Sequence, residues 1–159
     1  MPRVVSDTTP LISLLKISQL DLLQRLYGEI LIPKAVFNEV EAGKGKHFYT
    51  DFLKLPWIKV VGIANEEALN HFLDLDAGEA EAIVLATELH ADLILVDEKL
   101  GRWHAKHAGL KVSGTIGVLI KAKREGLIPG IKQMLDDLIA RNVWIGEKLK
   151  TEILKQVGE

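Results

Sequence analysis

The chain has 159 residues, enough for one substantial core and too few for two ordinary domains. Its 20 Lys and Arg stand against 22 Asp and Glu, which excludes a global electrostatic pull on nucleic acid, so any such contact must be local. With no cysteine, disulfides and thiolate metal sites are excluded. No apolar run approaches bilayer length and no signal-peptide pattern is visible, so a cytoplasmic protein without membrane contact is expected.

In chain order, residues 3–6 predict a short strand that reaches Asp7, and Thr8-Thr9-Pro10 reads as a cap and helix start leading into 10–15. Asp7 has two readings, an N-cap or a ligand at a strand end, and Thr8 or Thr9 can supply the cap instead. A helix is expected over 19–27, then a buried strand over 29–32 stopped by Pro33, with Pro33 at a first helical position. The next helix, over 34–41, buries Val36, Phe37 and Val40 and leaves Glu39 at the edge of that face. Taken alone, Glu39 reads as a solvated glutamate. Gly43-Lys44-Gly45-Lys46-His47 is a basic loop, either a solvated turn or a phosphate-backbone contact, and a short helical stretch with Phe48, Tyr49 and Phe52 comes next. Residues 57–61 alternate apolar and polar, as in a strand near a sheet edge, and 65–73 predict a helix capped by Asn65.

The run 78–102 organises the rest. Ala82, Ile83, Ala86 and Leu89 fall on one helical face within 79–90, with Gly78 at the mouth of that helix and Glu79 and Glu81 in its first turn, where negative charge is favoured. Leu93 to Val96 is an unbroken apolar run, as expected of a parallel strand covered on both faces, and it ends on Asp97. Residues 98–107 predict a helix packing through Leu100, Trp103 and Ala108, with Arg102 near the strand end. His104 and His107 at i, i+3 have no further ligand cluster to complete a zinc site. A short strand at 111–112 closes on Ser113-Gly114-Thr115, and helices over 115–124 and 129–141 come after it. Val143-Trp144-Ile145 and a helix over 146–157 finish the chain, with Trp144 read as a core or interface anchor.

The alternation of strands and helices predicts an α/β fold, three layers with a central, mostly parallel sheet of about five strands, in one domain over 1–159 with its core in roughly 3–145. If the two strands that end in aspartate flank the sheet's switch point, Asp7 and Asp97 meet there, with Glu79 and Glu39 reaching in from neighbouring helices. Four carboxylates in one cleft repel one another unless a hard cation sits among them, and Mg²⁺ or Mn²⁺ suits oxygen-only ligation. That is the logic of metal-dependent phosphodiester hydrolysis.

The SDTTPLI start, the IPKAVFNEV segment, the LDAGEAEAIVLATELHADLILVDE run and the VSGTIGVLIKAKREGLI stretch resemble a PIN domain, of the prokaryotic PIN-like branch related to VapC-type toxin ribonucleases. The resemblance implies a Mg²⁺- or Mn²⁺-dependent endoribonuclease, with Asp7, Glu39, Glu79 and Asp97 as catalytic and metal-binding acids and Glu81 as the neighbour that competes with Glu79 for the third place. In this chain the third acid is then a glutamate where an aspartate is usual, and Leu95 stands where a hydroxyl residue is often found. Thr8, Lys99, Arg102 and Thr115 are the candidates to position RNA. The resemblance also implies a toxin–antitoxin pairing, with a small antitoxin protein over the acidic cleft, and a homodimer. Two other readings compete. One is a non-catalytic PIN-like domain that binds protein or RNA. The other is a phosphoryl-transfer α/β domain, against which stand Thr9 in place of a second aspartate two residues after Asp7 and the lack of an acidic pair at the first strand.

Overall fold

The structure, a computed structural model, describes residues 2–159. In order it contains β1 (Val4–Ser6), α1 (Thr8–Lys16), α2 (Asp21–Tyr27), β2 (Ile30–Ile32), α3 (Lys34–Ala42), β3 (Ile58–Val60), α4 (Ala77–Glu88), β4 (Leu93–Leu95), α5 (Lys99–His107), β5 (Val112–Ser113), α6 (Thr115–Arg124), α7 (Lys132–Ala140) and α8 (Glu147–Gln156). Two 3₁₀ segments, Phe52–Lys54 and Glu66–Phe72, lie in the connections on either side of β3.

The five strands form one sheet in the order β3-β2-β1-β4-β5, and every neighbouring pair is parallel. Alternation along each strand builds two cores. Val4, Ile30, Ile32 and Leu95 face one layer with Leu11, Leu14, Leu22, Val36, Leu119 and Leu135, which come from α1, α2, α3, α6 and α7. Val5, Ile94 and Val96 face the other layer, with Ala82, Ile83, Leu85 and Ala86 of α4 and Ala105 of α5. Full burial of a leucine or isoleucine is worth about 1.5–3 kcal/mol, so the fully buried Leu14, Leu22, Ile83 and Ile94 are among the main anchors of the two layers.

The chain runs outward from β1 to β2 and β3, then returns to the other side of β1 for β4 and β5. The reversal falls between β1 and β4, whose registers pair Val4 with Leu93 and Ser6 with Leu95. Asp7 N–H donates to Leu95 O at 2.9 Å and extends this ladder one step beyond β1. Both aspartate-terminated strands therefore end at the same switch point, the place where open parallel sheets bind ligands.

Several local expectations shift. The helix expected over 79–90 starts earlier, as Ala77–Glu88, so Gly78 lies within its first turn and Asp76 caps it. Asn65 does act as a cap, its side chain accepting from Glu67 N, but the segment it opens is 3₁₀ because none of its residues is buried and packing does not support a regular helix. Pro33 is the N-cap of α3, one place before a first helical position. The helix expected over 129–141 narrows to Lys132–Ala140, and Phe48 and Tyr49 lie outside helical structure. In α5 the packed residues are Gly101 and Ala105, while Leu100 and Trp103 are largely exposed and Ala108 is the C-cap. Trp144, read as an anchor, is 87% exposed, so it is not part of the core.

Candidate metal centre

Asp7 holds the N-cap position of α1 with extended backbone, yet its side chain makes no capping bond. It is 2% exposed, and its Oδ1 has no hydrogen-bond partner. Capping therefore does not account for this carboxylate. Burial pushes its pKa up to about 8; the Thr8 amide draws it down in part, and the charges of Asp76, Glu79 and Glu39 push it further up.

Glu39, on α3, is held from two sides. Thr8 Oγ1 donates to its Oε2, and Gly78 N–H at the start of α4 donates to its Oε1 at 3.1 Å. A Cβ on Gly78 would stand 2.7 Å from both Glu39 oxygens, so glycine is what lets α3 and α4 meet through this carboxylate. Asp76 is exposed and forms a capping box with Glu79: its Oδ1 accepts from Glu79 N at 2.8 Å, and Glu79 Oε1 accepts from Asp76 N.

Among the described residues, Asp7, Glu39 and Asp76 form a group whose carboxylate oxygens lie within 4.8 Å of one another. Glu79 and Asp97, placed in the site from sequence, are not in that group. Glu79 is 6% exposed, its Oε2 lacks a partner, and the Oε2 lies where a Cβ on Gly101 would come within 2.7 Å. Burial, with the Asp76 side-chain contact next, raises its pKa to about 7. Glu81, the neighbouring candidate, accepts from Ala35 N at 3.2 Å and so ties α4 to the first turn of α3.

Asp97 sits across the switch point, beyond β4. Thr115 N–H donates to its Oδ1 at 2.7 Å and Thr115 Oγ1 to its Oδ2 at 2.6 Å, which joins the ends of β4 and α6. Arg102 Nη1 donates to Val96 O at 3.0 Å, one residue before Asp97. An open cleft of ≈ 610 Å³ is lined by Thr8, Asp97 and Thr115 among others. Of the residues expected to position substrate, Thr8 and Thr115 thus line this cleft while holding acids in place. Lys99 instead lines a separate hollow with Asp74, Leu100 and Trp103. The two histidines are engaged elsewhere, His104 Nε2 with Asp74 Oδ2 at 2.9 Å and His107 Nδ1 with Trp103 O at 2.9 Å.

Asp76 is the residue that sequence reasoning missed. Its signal was present, since Asp76 and Glu79 form the D-x-x-E spacing of a capping box just before an apolar helical run.

The donor set fits a hard divalent cation. Three carboxylates converge, one is buried with an oxygen left unpartnered, and all donors are oxygen, the chemistry that suits Mg²⁺ or Mn²⁺. No helix among the described residues is long and apolar enough to cross a membrane.

Residues 3–159 match the sequence profile of the DUF3368 family, described as a PIN domain. No curated protein matches the chain. PIN domains are in general metal-dependent nucleases, and this acidic cluster is in keeping with that class of chemistry. The match spans all but the first two residues, and with the five-stranded parallel sheet that carries the acids it leads to one conclusion: the chain belongs to the PIN-domain family.

Proposed function

We propose that the protein is a divalent-metal-dependent endoribonuclease whose cation is held by Asp7, Glu39 and Asp76, with Asp97 facing the same switch point from β4. The observation that carries this reading is the buried Asp7 carboxylate, which leaves one oxygen unpartnered beside two further carboxylates. Such an arrangement destabilises the protein unless a cation or a proton offsets it.

When bound, a divalent cation lowers the pKa of water and offsets the charge that develops on phosphate oxygens during hydrolysis. The chain's own residues set the geometry. Thr8 and Gly78 fix both oxygens of Glu39, and Glu79 fixes Asp76 through the capping box. Thr115 orients Asp97, so that Glu39, Asp76 and Asp97 are each preorganised by a neighbour rather than by solvent. The buried Glu79 keeps an unpartnered Oε2 next to Asp76, in a carboxyl whose pKa burial raises to about 7. The cleft gives a phosphodiester access to Asp97 and to Thr8, the residue that holds Glu39.

The wider reading is a toxin-like ribonuclease of the cytoplasm, active as a homodimer and covered by a small antitoxin. Its support is the resemblance of the acidic motifs to the VapC-related branch. The exposed Trp144 and Leu149, beside and on α8, add an apolar surface that a second protein chain would bury.

The test is calorimetric titration of Mn²⁺ into the wild type, Asp7→Asn and Asp76→Asn, with cleavage of single-stranded RNA followed in parallel. The expected result is one binding process and RNA cleavage in the wild type, both lost in each variant. A wild type that binds Mn²⁺ but leaves RNA intact in every sequence context would remove the ribonuclease reading and keep the metal centre. No binding in the wild type would remove both.

A further inference from the structure

Two clefts share Lys16, the last residue of α1, as a common wall. The first, ≈ 610 Å³, is the one lined by Asp97, Thr8 and Thr115, and it also takes in Asn142. The second, ≈ 600 Å³, is lined by Lys16 again, by Arg141, the sequence neighbour of Asn142, and by His47, together with the rings of Phe48, Tyr49 and Trp57. The character of the lining changes from one to the next. The first has the carboxylates of Asp97 and Glu98 in a largely apolar lining; the second has cations and half-buried aromatic rings, with Asp21 the acid among its lining residues.

The positive charge here is local in a chain whose formal net charge is −2. Among the described residues neither Lys16 nor Arg141 makes an ion pair with a carboxylate. Lys16 Nζ stands 5.8 Å from the centroid of the Phe48 ring, and Arg141 Nη1 donates to His47 Nε2 at 2.9 Å. Lys46, in the turn just before His47, is exposed. Cations without carboxylate partners beside aromatic faces are what a single strand of nucleic acid requires, because the cations follow its phosphates and the rings accept its bases.

We propose that the two clefts form one track for single-stranded RNA. The phosphate to be cut lies beside Asp97 and Thr8, the residue that holds Glu39 of the acidic centre, and the strand continues past Lys16 into the hollow of Arg141 and His47. Lys16 and Arg141 contact phosphates there, and the aromatic side chains provide stacking surfaces. This rests on reading the acidic centre as a ribonuclease. It adds a binding surface away from the acids that explains how a chain without net positive charge holds its substrate.

The experiment measures binding of a fluorescent single-stranded RNA of about eight nucleotides by anisotropy, in EDTA so that no cleavage occurs, over a series of salt concentrations. Wild type, Lys16→Gln, Lys16→Arg and Arg141→Gln are compared, with thermal melting as the check on folding. Each glutamine variant should bind roughly three- to tenfold more weakly at low salt and lose about 0.7 from the slope of log affinity against log salt, the value for one phosphate contact on a single strand. Lys16→Arg should keep both. Arg141 is exposed, so its variant carries the test even if Lys16→Gln fails to fold. Unchanged affinity and slope in the glutamine variants overturn the proposal. So does a wild type that does not bind the RNA at low salt, which would leave the aromatic hollow to a protein partner. Hydrolysis of the same RNA by the wild type in Mn²⁺ reads the acidic centre separately. Charge-dependent binding without hydrolysis supports the track and removes the nuclease reading; hydrolysis with charge-independent binding does the reverse.

Discussion

Thr115 holds Asp97 by both carboxylate oxygens, its amide on Oδ1 at 2.7 Å and its hydroxyl on Oδ2 at 2.6 Å. One residue thereby joins the end of β4 to the start of α6 and sets the direction of a carboxylate at the switch point. Gly114 makes room for this, since a Cβ there would collide with Asp97 Oδ1.

Replacing Thr115 by Val removes the hydroxyl donor and keeps the amide. Hydrogen bonds to charged groups are worth about 1.5–3 kcal/mol, and the cost falls in that range because Thr115 is 4% exposed. Asp97 then turns more freely, and RNA cleavage should fall by roughly tenfold or more, as for a residue that orients a ligand carboxylate. Thr115→Ser restores the donor and should recover most of the rate. Denaturant melts and single-turnover cleavage separate the two effects. Equal rates in wild type and Thr115→Val would show that Asp97 needs no orientation from this hydroxyl.

Gly78→Ala tests the join between α3 and α4. Alanine favours a helix by about 1 kcal/mol over glycine, and Gly78 has no positive φ to forbid it. The new Cβ nevertheless arrives 2.7 Å from both oxygens of Glu39 and must displace that carboxylate. The expected outcome is a melting temperature that holds or changes modestly, together with a Mn²⁺ affinity lowered by roughly 10–100-fold. Calorimetry reads the affinity, and a wild-type value in the variant would mean that Glu39 is not a ligand.

Much of this site was legible because its chemistry coincides with the ends of strongly patterned elements. The run from Leu93 to Val96 is apolar on both faces, as a covered parallel strand requires, so Asp97 is placed by the same pattern that places the strand. Helix α6 keeps to its expected bounds, from the threonine after Gly114 to Arg124. Asp76 escaped because the apolar period of α4 becomes evident only after Glu79, and the cap that begins a helix precedes its periodic residues. Glu39 reads as a surface residue on its own helix, and the contacts from Thr8 and Gly78 are separated from it by 31 and 39 residues. Trp144 marks the limit of pattern reading, because a large apolar residue signals burial on average while its actual exposure is set by how α7 and α8 pack.

The acidic centre also fixes a pH dependence. Asp7 has an unfolded value near 3.8 and a folded value raised to about 8, so between about pH 4 and 8 the metal-free folded chain holds a proton that the unfolded chain has released. This contribution to stability is complete below the unfolded value and is lost as pH rises through the folded one. Each tenfold difference in proton affinity corresponds to about 1.4 kcal/mol. In EDTA, Asp7→Asn should therefore be more stable than wild type at pH 8, with the gap closing toward pH 4. Adding Mn²⁺ should raise the wild-type melting temperature and leave the variant where it was. A wild type whose metal-free stability rises between pH 5 and 8 relative to the variant would contradict a protonated Asp7.

Far from the acids, Glu159 clasps the end of α8 to the start of α7. Its carboxylate accepts from Lys123 Nζ at 2.6 Å, from Ile131 N at 2.8 Å and from Lys132 N at 3.1 Å. The Lys123 contact first, then the two amides, lower its pKa to about 2. A depressed carboxylate stabilises fully above its unfolded value and loses that contribution as pH falls through the folded one. Glu159→Gln should lower the denaturation midpoint at pH 7, and the difference from wild type should shrink as pH falls from about 4.5 toward 2. Because backbone amides at a helix start share the load with Lys123, added salt should weaken the effect only in part. Salt that abolished the whole difference would assign the clasp to the lysine alone, and a difference that persisted undiminished at pH 2 would assign it to packing rather than charge.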